Sequence, residues 1–122
     1  MKTRGRRTAQ TAARLQRVQD AIGLSNHQMA QLLQTSSRTI AGCVQSGQTP
    51  FRGDQKRRLV KLDLIAVMAA KVYSRAGARA FFATPLAKFG DKSATDLLLE
   101  GQFKCVARMI ASDYEERGDV LS

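Results

Sequence analysis

The stretch Leu24–Pro50, LSNHQMAQLLQTSSRTIAGCVQSGQTP, carries start and stop signals for two short helices set one after the other. Ser25 suits an N-cap, and Gln28 three residues later completes a capping box. Met29, Ala30, Leu32 and Leu33 follow at helical spacing. Gln34-Thr35-Ser36 makes a turn, and Ser36 caps a second helix that carries Arg38, Thr39, Ile40 and Val44. Gly47 and Pro50 close the unit. Two short helices across a turn of about three or four residues can lay the second one in a DNA major groove. Ser37, Arg38 and Thr39 are the short polar and basic side chains such a helix needs near its N-terminus.

The rest of the chain also reads as helix. Residues 1–7, MKTRGRR, form a basic flexible arm without apolar periodicity. Ala12, Leu15, Val18 and Ile22 recur at three and four, predicting an amphipathic helix from Thr8 that ends at Gly23 as a C′ residue. Residues 8–53 are thus a helix–turn–helix region closed by a turn-rich hinge at Gln48–Gly53. Asp54 caps the longest helix, Gln55 to about Tyr73, roughly 28 Å at 1.5 Å per residue. That helix, residues 54–73, is apolar on nearly every side, which predicts burial on several faces: a central strut, or part of a dimer interface as well.

Residues 74–122 then form a smaller helical region. A helix around Arg75–Ala83 stops before Pro85, and Leu86–Lys92 is a loop containing Gly90. Ser93-Ala94-Thr95-Asp96 opens a single apolar turn closed by Gly101. Phe103, Val106, Met109, Ile110 and Tyr114 make a last helical stripe ending at Gly118. No segment alternates convincingly, so the expected fold class is all-α with about seven helices.

The charge is unevenly placed. Residues 1–61 hold twelve lysines and arginines against Asp20 and Asp54, a net of +10, whereas residues 62–122 hold eight of each sign and are neutral. A polyanion-binding half joined to a neutral half accounts for that segregation better than general solubilising charge does. At 122 residues and 43% hydrophobic, the chain can build one compact domain or two small subdomains sharing a core. No apolar run approaches the ~20 residues needed to span a bilayer, and the basic N-terminus lacks the apolar segment of a signal peptide, so a cytoplasmic protein is expected. Cys43 and Cys105 are isolated and read as buried reduced thiols. His27 stands alone, the carboxylates are scattered, and the glycines match no phosphate-binding loop, so no enzyme, cofactor or metal is expected.

Candidate DNA contacts follow from the second helix and its flanks. Arg38 suits a guanine edge, or a phosphate, or open solvent. Ser36, Ser37, Thr39 and Gln45 are further base or phosphate candidates. Arg4, Arg6 and Arg7 suit the DNA backbone or a minor groove, with an inert solvated tail as the alternative. Arg52, Lys56, Arg57 and Arg58 suit phosphates. Gly42 inside the second helix costs about 1 kcal/mol relative to Ala, which points either to close approach of another backbone or to weaker DNA affinity.

From about Val18 to Gly118 the chain resembles the antitoxins of the Xre/MbcA/ParS group. The resemblance rests on the helix–turn–helix core Ser37-Arg38-Thr39-Ile40 with Gly47 and Pro50 after it, and on a C-terminal pattern. That pattern is Phe81-Phe82-Ala83-Thr84-Pro85, Gly90, Ser93-Ala94-Thr95-Asp96-Leu97-Leu98, Gly101, Val106 and Gly118. Ala94 stands where the family usually has proline, Asp91 replaces a common second glycine, and Phe81 or Phe82 a usual tryptophan. Gln45-Ser46-Gly47 is one residue longer than the usual end of the recognition helix, which bears on DNA register.

The resemblance implies a RES-domain toxin that degrades NAD⁺ as partner, neutralised by the antitoxin, and operator DNA as a second partner for autoregulation. It further implies a toxin-binding region containing Phe82, Leu86 and Phe89. The C-terminal end (Tyr114, Arg117, Gly118, Asp119, Val120, Leu121 and Ser122) would lie at the toxin's active-site entrance. A homodimer or a higher hetero-oligomer with toxin is expected, with two recognition helices ~34 Å apart on a palindromic site. The alternatives are a stand-alone repressor whose C-terminal half only dimerises, and a non-specific architectural protein acting through charge alone.

Overall fold

The computed structural model describes residues 2–46 and 51–121, with side chains for residues 11–46 and 51–116. Among the described residues seven α-helices follow one another: α1 (Lys2–Ile22), α2 (Asn26–Leu33), α3 (Ser37–Ser46), α4 (Gly53–Val72), α5 (Arg75–Ala83), α6 (Ala94–Leu99) and α7 (Phe103–Leu121). A 3₁₀ turn at Ala87–Phe89 interrupts the α5–α6 connection, where Leu86 and Lys92 form an isolated antiparallel bridge. No strand occurs among the described residues, so the chain is all-α as its periodicity requires.

The local signals act as their chemistry demands. Gly23 ends α1 at φ +83, a left-handed conformation that glycine adopts without steric cost. Ser25 Oγ accepts the Gln28 N–H at 3.1 Å and Gln28 Oε1 accepts the Ser25 N–H at 3.0 Å, a complete capping box on α2. Ser93 and Asp96 build the same box on α6. Thr84, ahead of Pro85, leaves the helical region at φ −90, ψ 123 and stops α5.

Three boundaries differ from the sequence pattern. α1 begins at Lys2, not Thr8, so the backbone of the basic arm is helical. Lys and Arg are good helix formers, and lack of an apolar stripe bears on burial, not on backbone conformation. α4 is capped at Arg52, not Asp54; Asp54 lies in its first turn, where a carboxylate favours the helix N-terminus. α7 continues through Gly118 to Leu121, since one helix-interior glycine costs only about 1 kcal/mol. The Gly47 and Pro50 stop signals and residues 48–50 of the Gln48–Gly53 hinge lie outside the described residues.

One core runs through both halves. Leu15, Val18, Met29, Leu33, Ile40, Leu59, Leu62, Phe82, Leu98, Val106 and Ile110 are among its most buried members, drawn from every helix. α4 is the shared strut, packing against α1, α2, α5 and α7. Its burial is one-sided, however: Leu59, Leu62, Ile65, Ala66 and Ala69 face inward, while Val60, Leu64 and Val67 are 40, 60 and 40% exposed. Cys43 is buried, and desolvation pushes its thiol pKa up, whereas Cys105 is only half-buried.

Candidate functional site

The α2–α3 pair is held by backbone chemistry at its turn. Gln34 adopts φ 59, ψ 51, a left-handed cap on a residue that is not glycine. Ser36 Oγ accepts the Thr39 N–H at 3.1 Å and lies 2.8 Å from Thr39 Oγ1. Those two hydroxyls are thus occupied in capping α3, and Thr39 is half-buried, so both are poorer ligand contacts than the sequence suggests. Ile40 and Cys43 turn inward. Ser37, Arg38, Gln45 and Ser46 are exposed and share the outer face of α3 with half-buried Ala41 and Gly42.

Gln55 fastens this pair to α4. It is 7% exposed; its Nε2 donates to the Gln34 carbonyl at 3.1 Å and its Oε1 accepts the Arg52 N–H at 2.8 Å. Sequence reasoning missed it, although a glutamine three residues after a helix start is the acceptor half of a capping box. Arg58 serves the same junction, donating to the Leu32 carbonyl at 3.3 Å, and is half-buried. It is a strut across α2 and α4 more than a free phosphate ligand.

The charge halves meet in space. Arg17 on α1 grips Asp63 on α4 with two hydrogen bonds, Nε to Oδ1 at 2.9 Å and Nη2 to Oδ2 at 2.8 Å. Arg14 Nε lies 3.2 Å from the same carboxylate without hydrogen-bond alignment. The Arg17 hydrogen bonds hold the Asp63 pKa below the usual carboxylate range against the opposing effect of its burial. Asp20 on α1 likewise pairs with Arg75 and Arg79 on α5. Arg52 sits 3.6 Å from Asp54. Among the described residues no carboxylate pairs with Arg38, Lys56, Arg57 or Lys61, and all four are exposed. These, not the full twelve cations of the first half, are its described open positive charge. The side chains of Arg4, Arg6 and Arg7 lie outside the described residues.

In the C-terminal part, Phe82 is 0% exposed. Its ring meets Phe81 edge-on at 5.1 Å, and Phe81 stacks on Tyr73 at 5.1 Å. Phe82 is therefore a core residue and cannot touch a partner in this fold, a correction to its place among the contact candidates. Its sequence neighbour Phe81 is only half-buried, and a pair of adjacent aromatics does not tell which faces inward. Leu86 and Phe89 are half-buried, and Phe89 lines a shallow groove of about 360 Å³ with Cys105, Arg108 and Met109. Tyr114 is 59% exposed and borders a groove of about 410 Å³ between α4 and α7, with Met68, Lys71, Val72, Ile110 and Glu115. Tyr73 donates its hydroxyl proton to Asp113, tying the end of α4 to α7. The backbone from Arg117 to Leu121 is helical; the side chains there, and Ser122, lie outside the described residues.

His27 is exposed, and among the described residues no three His, Cys, Asp or Glu side chains gather as a metal site. No described helix is long and apolar enough to cross a membrane. Fold and surface together define an all-α protein in which a capped helix pair with a polar and basic outer face shares one core with a helical C-terminal part. The fold is similar to that of a chain of the M. tuberculosis MbcT–MbcA toxin–antitoxin complex, with a TM-score of 0.69, covering 86% of this chain and 94% of that one at 23% identity. No family model and no curated protein sequence matches the chain.

Proposed function

We propose that this chain is the antitoxin of a type II toxin–antitoxin system. It binds and neutralises a RES-type, NAD-degrading toxin through residues 74–122, and binds operator DNA through α3 to regulate its own transcription. No catalytic step is assigned to it. The observation that carries the antitoxin reading is the extent of the fold likeness: it spans both halves of the chain and nearly all of a chain from a toxin–antitoxin complex, where a shared helix pair alone would match a fragment. DNA binding is supported by exposed Ser37, Arg38 and Gln45 on α3, with Lys56 and Arg57 on α4 as phosphate ligands and Arg4, Arg6 and Arg7 as backbone or minor-groove contacts. Toxin contact is assigned to the Tyr114 end of α7 and to Arg117, Gly118, Asp119, Val120, Leu121 and Ser122 beyond it, with Leu86 and Phe89 at the rim. The last residues block the toxin's active-site entrance.

Co-expression with the adjacent reading frame, followed by purification, tests the partner. Absence of a RES-type neighbour, with nothing co-purifying through residues 74–122, would remove the antitoxin reading. Arg38→Ala should weaken specific DNA binding by about 1–3 kcal/mol and leave toxin neutralisation intact. Deleting residues 119–122 should do the reverse; undiminished protection from the toxin would sink the assignment of the tail.

The exposed stripe Val60, Leu64 and Val67 on α4 favours a second reading, a stand-alone repressor that dimerises. Under that reading the purified chain is a dimer that represses without any toxin, and Leu64→Glu makes it a monomer.

A further inference from the structure

Gly42 is unexplained by its own fold. It sits in the interior of α3, where glycine is the least favoured residue after proline. Its φ is not among the positive ones, so no left-handed backbone requires it. A Cβ built on it would meet nothing within 4 Å among the described residues, so no described neighbouring element requires the space either. The surrounding surface is equally low. Ala41 is small, and Ser46 folds its hydroxyl back onto the Gly42 carbonyl at 2.6 Å instead of projecting it. The long exposed side chains on this face are Arg38 and Gln45. They stand seven residues apart along the helix, about 10 Å at 1.5 Å per residue, or roughly three base-pair steps at 3.4 Å. The outer face of α3 is therefore a saddle: two reaching side chains with Ala41 and Gly42 as the floor between them.

We propose that Gly42 is where α3 meets the floor of the DNA major groove, its missing Cβ letting the helix settle deep enough for Arg38 and Gln45 to reach base edges. The inference rests on the DNA-binding reading above. A residue at the centre of the exposed face looks toward base edges, while residues at its margins look toward phosphates. Loss of depth at Gly42 must then cost sequence discrimination more than general affinity.

The test compares the full-length protein with its Gly42→Ala variant. Each is titrated at one fixed salt concentration with duplex DNA from upstream of its own gene and with a scrambled duplex of equal length and composition. Thermal melting is recorded alongside. Gly42→Ala is expected to lower affinity for the upstream fragment at least tenfold and to change affinity for the scrambled one less than twofold. The melting temperature should rise by a few degrees, as an unhindered Gly→Ala change in a helix does. Unchanged affinity for the upstream fragment overturns the proposal. So does an equal loss on both duplexes, which would place the added methyl against phosphate, and so does a lowered melting temperature, which would show that the fold itself needs the glycine. The unmodified protein separates this from the underlying reading: if it fails to prefer the upstream fragment over the scrambled one, DNA recognition itself is refuted.

Discussion

Single residues carry most of the electrostatics between α1 and α4. Asp63 is paired by Arg17 and approached by Arg14, and its carboxyl pKa lies below the ordinary value. A depressed carboxylate pKa stabilises the fold above the unfolded-state value near ~3.9, and that stabilisation is lost as pH falls through the lower folded value. Asp63→Asn is therefore expected to cost about 1 kcal/mol at neutral pH, modest because Arg17 is solvent-facing. The gap from the unmodified protein should close progressively in melts taken at falling pH below the ordinary carboxylate value of about 3.9. A gap that persists there would mean the loss is steric. Phe82 is the other residue-scale case. Phe82→Ala should cost about 3–5 kcal/mol by emptying a core site. Circular dichroism will show that loss in the free protein, so any weakened partner binding in this variant reports damaged folding and not a removed contact. Orientation was what sequence could not supply at this scale. Periodicity identified Leu15, Val18 and Ile22 as inward-facing, but Phe81-Phe82 and Ser36-Thr39 depended on neighbours distant in the chain or on hydrogen bonds within the turn.

Helix ends were legible where a side chain does the capping. Ser25, Ser36 and Ser93 each accept a backbone N–H at the start of α2, α3 and α6. The start of α4 was not: Arg52 begins it without a side-chain cap bond of its own. Gln34 does open the turn after α2 where the sequence places it, but in a left-handed conformation favoured by glycine. Removing that strain gives a prediction for the α2–α3 turn. Gln34→Gly should stabilise the protein by about 0.5–1 kcal/mol, because the bond it receives from Gln55 ends on its backbone carbonyl and survives the change. Chemical denaturation with an unchanged m-value would verify it. A destabilised variant would show that the Gln34 side chain contributes something its exposure does not suggest.

For the whole molecule, sequence charge and shared core lead to different pictures, and both are useful. The division of charge at residue 61 marks two chemical halves. It does not mark two folding units, because Leu59 and Leu62 of α4 are buried in the same core as Leu15 of α1 and Ile110 of α7. Unfolding should therefore be a single transition, with probes near α3 and near Tyr114 melting at the same temperature. Two separated transitions would contradict the shared core. The element that joins the halves is α4, which packs on α1 and α2 on one side of that division and on α5 and α7 on the other. Gln55 near its start bonds both the turn beneath α3 and the Arg52 N–H. The α2–α3 pair and α7 thus rest on one and the same helix, so any event that drags α7 away from α4 strips packing from the helix to which the α2–α3 turn is fastened.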